Sequence, residues 1–462
     1  MARDYFKGKR FLITQSSLTQ FAGSEIVALE LASFLNEHSA KTTVFTWAYD
    51  GAIKSEFEKL NINVITNEEK LHLKDFDYIW VQHQVIPSSI LKELTDSPSY
   101  PKPIFLFYHM ATLSHIWIEQ PYANTIEKDL SSSSLFVSTE ALEKNTTLFS
   151  NLFHNPQVFP NFIPQHFLSK EEASNTLKKI LVVSNHPPQE LIDSIQLLSN
   201  QGIQVDLLGR NSDHYQLTTP TLLKKYDLVI TIGKTVQYCL GMNIPVYIYD
   251  MHGGCGFLNS RNYNKAKNFN FSGRPFKKKT PQQIATEITT QFQSAISFQT
   301  KNYDKNIIEF NLEQNLAKVL KEAKHRNHKF SRSQINQILS IEQMAKDKII
   351  LSNQNKSLVK ENQFLKTQAT ASKEQVIDLQ NSIFIMQNSR LIKAANFLHS
   401  LNTHQKHHPH PEIILVLCLY NESQNLPTFL KYVSKYIDGI VAIDDNSSDD
   451  TVKLLKKNKK NT

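Results

Sequence analysis

Ten short runs of β-branched and aromatic residues, set between segments with helical spacing, constrain this chain more than any other feature. Six come early: Arg10–Thr14, Thr42–Trp47, Asn63–Thr66, Tyr78–Gln82, Ile104–Tyr108 and Leu135–Ser138. Four follow the proline-marked segment Phe159–Pro164: Lys179–Ser184, Gln204–Leu208, Leu228–Ile232 and Val246–Tyr249. Runs of this length and composition read as buried strands. Between the first two, Val27, Leu31, Phe34 and Leu35 fall at helical spacing. The order strand, helix, strand calls for right-handed crossovers and a parallel sheet. The expectation is an α/β chain with two doubly wound, Rossmann-like lobes, residues 1–165 and 166–322, whose strands' carboxyl ends face one cleft.

Beyond residue 325 the strand signals stop and glycine is missing until Gly439. Ile341, Lys348, Asn355, Asn362, Ala369, Val376 and Ile383 occupy one heptad position, and Met344, Leu351, Leu358, Leu365, Ser372, Leu379 and Met386 the other. Ten of these fourteen are apolar, which predicts a coiled coil over residues 330–400; asparagines at the first position favour a parallel homodimer. A helix packed on its own globular domain is the alternative. Residues 401–410 form a histidine-rich linker, and Pro411 opens a last segment, 411–462, with strands at Ile413–Leu417 and Gly439–Ile443 around a helix at Leu426–Tyr436.

Composition narrows the classes. The 462 residues are 40% hydrophobic and 20% charged, ordinary globular usage. No run reaches the roughly 20 apolar residues of a membrane span, and Met1–Gln15 lacks a leader's continuous apolar stretch, so a soluble cytoplasmic protein is expected. Cys239, Cys255 and Cys418 show no metal-ligand spacing and read as reduced structural thiols. The net charge of +8 is dispersed and no recognition motif accompanies it, so nucleic acid is not expected. The basic excess suits peripheral association with anionic headgroups at the inner membrane face, or a plain solvated lysine surface.

Chemistry-bearing residues sit at strand ends. Gly23 and Ser24 open the first helix, where a serine can cap and free amides suit an anionic group, or where the pair is only a turn and a cap. The buried run Leu228–Ile232 delivers Gly233, Lys234 and Thr235 to a helix start, a place for pyrophosphate charge. Gly253, Gly254 and Gly256 follow the next strand and permit close approach of main chain to a ligand, or a tight loop. His109 ends the run IFLFYH, either as a polar contact in the cleft or as a strand-end histidine satisfied by the protein.

These features carry a resemblance. Residues 1–320 resemble GT-B glycosyltransferases, family-four-like, of the bacterial branch that builds surface polysaccharides: the turn Gly23–Glu25, the loop Leu208-Gly209-Arg210, the segment Pro245–Asp250, the glycine cluster and Asn270–Arg274 all match its pattern. The resemblance implies a nucleotide-sugar donor held by Arg210, Gly233, Lys234, Thr235, Gly253 and Gly254, an acceptor side at Gly23 and Ser24, His109 as the catalytic candidate, and no cofactor or metal. One departure stands out, since Ile230 and Tyr238 occupy the places of two glutamates that retaining members carry.

The last segment resembles the opening half of a family-two GT-A glycosyltransferase, through Cys418–Glu422 and Gly439–Thr451. That resemblance implies nucleoside binding by Asp444 and Asp445 with Glu422 nearby. The metal-binding motif and base of that family do not occur within 411–462, so the segment reads as a truncated GT-A domain; a divalent metal would be needed only by a complete one. The function expected is sugar transfer from a nucleotide-sugar to a growing surface glycan or lipid-linked acceptor. The rival is a catalytically degenerate sugar-nucleotide-binding scaffold that dimerises through its coiled coil and recruits partner transferases.

Overall fold

The computed structural model describes residues 5–95, 102–112, 124–149, 151–170, 174–209, 216–388 and 413–457. They form two compact units, Met1–Gln354 and Asn355–Thr462. The first unit is α/β. Its first sheet has seven strands, β1 Arg10–Gln15, β2 Lys41–Thr46, β3 Asn63–Ile65, β4 Tyr78–Gln82, β5 Ile104–His109, β6 Ser131–Phe136 and β7 Gln157–Val158, in the order β3-β2-β1-β4-β5-β6-β7. All its pairings are parallel. The strand order reverses between β1 and β4, which opens a crevice at their carboxyl ends. Helices α1 Gly23–Glu37, α2 Ala52–Lys59, α3 Ser88–Glu93, α4 Asn124–Leu130 and α5 Thr139–Leu148 make the crossovers. Burial on both faces produces two apolar clusters, one around Phe11, Val27, Leu31 and Trp80, the other around Leu12, Ile79, Phe105 and Phe107.

The second sheet runs β12-β11-β10-β8-β9, from β8 Lys179–Val183, β9 Gln204–Leu208, β10 Leu228–Thr231, β11 Val246–Asp250 and β12 Gly253–Phe257. Its switch point lies between β8 and β10. Helices α6 Gln189–Ser199, α7 Pro220–Leu223, α8 Lys234–Gly241, α9 Tyr263–Asn268 and α10 Pro281–Glu309 surround it. A capping box at Thr280 and Gln283 starts α10.

Two elements differ from the sequence reading. Strand β6 begins at Ser131, four residues before the apolar run, because three of its serines are buried with partners: Ser132 Oγ accepts from Lys324 N, Ser133 accepts from Asn155 and Gln157, and Ser134 Oγ donates to Glu127. Serine has weak strand propensity, and long-range hydrogen bonds override it. The glycine cluster, read as a loop, is instead the antiparallel edge strand β12.

After α10 the chain crosses back. Helix α11 Leu312–Glu322 lends Leu312, Leu316, Val319 and Leu320 to the core of the first lobe. Helix α12 Arg332–Asn388 follows. Its start also packs on that lobe: Ile335, Ile338 and Ala345 join Val85 and Ile86 in one cluster, Glu342 accepts from Ile86 N at 3.1 Å, and Lys346 pairs with Glu68 at 2.7 Å. This stretch takes the alternative open in the sequence, a helix packed on its own domain. Further along, the second heptad position is bare, with Met344, Leu351, Leu358, Leu365 and Leu379 52–73% exposed.

In the second unit, β13 Ile414–Leu419 and β14 Gly439–Asp444 pair in parallel. Helices α13 Leu426–Val433 and α14 Thr451–Lys456 cover one face with Leu426, Phe429, Leu430, Val433 and Leu455. The histidine-rich linker 401–410 lies outside the described residues. Among the described residues, no helix is long and apolar enough to cross a membrane.

Candidate functional site

A cleft of about 560 Å³ lies between the two lobes, at the carboxyl ends of β8, β9, β10 and β11 on one wall. Phe21, Gly23, Ser24 and Ile26 from the start of α1, and Met110–Thr112 beyond β5, form the other. Both walls are switch-point regions, where diverging crossovers leave space and helix starts point inward.

The first-lobe wall is braced by glutamines and a buried acid. Gln82 Nε2 donates to Gln15 Oε1 and to Ser24 O, both at 3.1 Å, and Gln15 Nε2 donates to Ser24 Oγ at 3.2 Å. The Glu25 carboxylate accepts from Thr19 N and Gln20 N. Ser24 does not cap α1: it lies inside the helix, whose cap position is Ala22, without a side-chain bond. A Cβ at Gly23 would meet nothing within 4 Å, so this glycine keeps the cleft open.

On the second-lobe wall, Gly233 has φ +59° and ψ −130° and precedes α8. That conformation is open in practice only to glycine. Its N–H donates to Phe271 O at 3.2 Å, and Thr235 lines the cleft beside it. The loop after α9 carries two successive non-glycine residues with positive φ, Asn270 at 53° and Phe271 at 51°. Such backbone costs of order 1–3 kcal/mol per residue and persists where surrounding contacts enforce it. Here Asp250 Oδ2 accepts from Gly273 N and Asp250 Oδ1 from His252 N.

Lys234 has a different setting from the one its position suggested. Its ammonium lies 2.6 Å from Glu30 Oε2 on α1 and donates to Phe162 O at 2.5 Å. It also sits 3.8 Å above the Phe162 ring. Tyr238, one of the two residues at an expected glutamate position, donates its hydroxyl to Glu30 Oε1 and stacks on Phe167 at 3.9 Å. Burial lowers the lysine pKa, with Glu30 opposing; burial and then Glu30 raise the tyrosine's well above its ordinary value. Lys234 thus joins the lobes, and its charge is already balanced.

A second interlobe pair stands at the rim. Arg274 Nε reaches Glu140 Oε1 and Oε2 at 3.1 and 3.0 Å, and Nη2 reaches Oε2 at 2.6 Å. Burial would raise the Glu140 pKa, but the bonds from Arg274 and Lys144 outweigh it and hold the carboxyl below its usual range. Arg274 also lines the cleft.

The remaining residues named from sequence are placed as follows. His109 is 2% exposed and is absent from the cleft wall, held between Glu127 Oε1 at 2.8 Å and Gln84 Nε2 at 3.1 Å. Gly253 and Gly254 approach the protein's own chain, since a Cβ would fall 2.5 Å from the Lys277 backbone and 2.0 Å from Ile248 O. Arg210 lies outside the described residues. Glu422, Asp444 and Asp445 share the carboxyl end of the β13–β14 pair in the second unit. Asn421 N donates to Ser447 Oγ there, Ser448 N to Asn421 Oδ1, and Ser447 N to Asp444 Oδ2. Among the described residues, no group of three or more His, Cys, Asp or Glu side chains is arranged to hold a metal. Glu30, Glu140, Asn161, Ser272 and Arg274 were missed as site residues. Only the segment Asn270–Arg274 carried a local signal; the glutamates look like any acid on a helix.

The fold and site define the first unit as a two-lobed α/β body with a cleft at the carboxyl ends of the parallel strands of its two sheets. No protein-family model matches the chain, and no curated protein matches it. Solved structures similar to it include a glycosyltransferase from Rickettsia africae ESF-5, at 11% identity and TM-score 0.45 over 73% of this chain and 98% of that one. WaaG, a glycosyltransferase involved in lipopolysaccharide biosynthesis, has 11% identity and TM-score 0.44 over 67% and 99%. A T4 phage BGT mutant in complex with UDP-glucose has 11% identity and TM-score 0.38 over 68% and 99%. At such values the strand order itself defines the fold, and function rests on the site.

Two outcomes follow from the interlobe pairs. Lys234→Ala strands a buried carboxylate and is expected to destabilise the first unit by about 3–5 kcal/mol, while Lys234→Met combined with Glu30→Met restores most of it; urea denaturation measures both. Because the folded-state pKa of Glu140 is depressed, its contribution is complete above the ordinary carboxylate value of 4.5 and is lost as pH falls through the lower folded value. The stability gap between wild type and Glu140→Gln should be flat above about pH 5.5 and narrow steadily below about pH 4.5.

Proposed function

We propose that the first unit transfers a sugar from a nucleotide-sugar donor to an acceptor hydroxyl of a growing surface glycan. The observation that carries this reading is the cleft itself. At one wall the start of α8, whose first amides have no intrahelical partner, adjoins Arg274 and a cluster of neutral polar side chains. That combination suits a diphosphate joined to a polyol. Transfer breaks the bond between the sugar's anomeric carbon and the diphosphate, and charge grows on the departing oxygen. The α8 amides and Arg274 offset it, with Arg210 as a further cation. The Nη1 end of Arg274 has no hydrogen bond among the described residues, so the guanidinium retains a donor while Glu140 holds the rest. Gly23, Ser24 and Met110–Thr112 form the acceptor wall.

An open, braced cleft supports an enzyme over a silent scaffold. In the second unit, Asp444 and Asp445 at the strand ends suit a nucleoside, as half of a GT-A-like site. The bare stripe on α12 supports a parallel homodimer, since leucines at seven-residue spacing form a seam that one helix leaves in water.

Calorimetry tests the site. At least one of UDP, GDP and dTDP, or their sugar conjugates, should bind the full chain; Arg274→Ala should weaken it by about 1.5–3 kcal/mol. Absence of binding by every ligand at millimolar concentration would exclude the transferase reading. For the dimer, light scattering should give twice the chain mass at micromolar concentration, and Leu358→Lys with Leu365→Lys should return a monomer.

A further inference from the structure

Two residues of the cleft wall each carry a buried polar atom that has no partner among the described residues. Asn161 and Ser272 are 3% and 4% exposed and both line the cleft. Asn161 Oδ1 and Ser272 Oγ make no hydrogen bond among the described residues. Buried polar atoms left in that state are rare and costly, so such a pair points to a group that is supplied from outside.

Their setting is built from several elements. Asn161 lies in the segment joining the lobes, and its Nδ2 donates to Asn270 Oδ1 at 3.2 Å. That bond fixes the side chain with its oxygen as the remaining end. Ser272 follows the two positive-φ residues Asn270 and Phe271, and the loop is tied to Gly233 through Phe271 O and to Asp250 through Gly273 N. The hydroxyl is therefore held by backbone, leaving it free of any protein acceptor among the described residues.

Chemistry restricts the ligand. An amide oxygen only accepts, so Asn161 Oδ1 would repel a phosphate oxygen and receive an O–H or N–H instead; a serine hydroxyl accepts or donates. Neither carries charge. Beside them, the start of α8 and Arg274 provide the electropositive part of the wall. We infer that Asn161 and Ser272 form a subsite that reads hydroxyl groups on the sugar ring of the donor, separate from the contacts to its diphosphate. This deepens the transferase reading and rests on it.

The test uses matched pairs on the full chain: UDP with UDP-glucose, GDP with GDP-mannose, and dTDP with dTDP-glucose, by calorimetry. Wild type should bind at least one sugar conjugate more tightly than its parent diphosphate. Ser272→Ala removes an unpartnered hydroxyl, so its melting temperature should be equal or higher. It should nevertheless reduce that preference roughly three- to tenfold while the parent diphosphate's affinity stays within about twofold. Asn161→Ala should act in the same direction; if it fails to fold, Ser272→Ala decides. An unchanged preference in Ser272→Ala, or equal losses for conjugate and parent, would show that the two atoms hold a structural water and overturn the subsite alone. Absence of any preference in wild type also overturns it. If no diphosphate binds at all, the transferase reading falls and the subsite with it.

Discussion

A buried ion pair between two lobes is the contact on which the cleft depends. Lys234 at the start of α8 and Glu30 on α1 are each less than a tenth exposed, with side-chain values of 6% and 9%. Taking two charges out of water is expensive, and the attraction offsets that only when geometry and extra hydrogen bonds are good. Both conditions hold here, through Phe162 O and the Tyr238 hydroxyl. An apolar contact of the same size would hold the lobes together without choosing their register. The pair does choose it, since its directional bonds align the start of α8 with α1.

Everything in the cleft follows from that alignment. The start of α8 and the start of α1 belong to different sheets, and each sits at a reversal of strand order. Once Lys234 is spent on Glu30, the electropositive character of the wall among the described residues comes from helix amides and Arg274. Arg274 is itself steadied by Glu140 from the opposite lobe. Lys234 and Arg274 are thus each oriented by a carboxylate across the gap, which places a binding group and the contact between the lobes under one set of interactions.

The sheets were legible because their signal is local. Buried parallel strands read as short apolar runs, and all but one short edge strand and the glycine-rich β12 could be placed that way. The departures have local causes too. Ser132–Ser134 carry no apolar signal and are satisfied by the Lys324 N–H and by asparagine, glutamine and glutamate side chains, and Gly253 and Gly254 look like a ligand loop until the Lys277 main chain lies against them. On α12 the heptad was real as a pattern, yet a second periodicity through Ile335, Ile338, Glu342 and Ala345 governs where the helix begins to pack. Two overlapping stripes on one helix cannot be ranked without knowing what surface each one meets.

By itself the sequence determined the α/β class, the succession of strands and helices, and the presence of Gly23, Gly233 and the Asn270–Arg274 loop at strand and helix ends. These depend on residues within a few positions of one another. Only the tertiary structure decided that Tyr238 meets Glu30, 208 residues away along the chain, that Glu140 steadies Arg274, that His109 turns into the lobe toward Glu127, and that Asn161 and Ser272 keep an unpartnered atom each. A side chain's partner across a lobe boundary is set by how the two sheets dock. The periodicity of each sheet's own sequence specifies its buried faces and leaves that docking open.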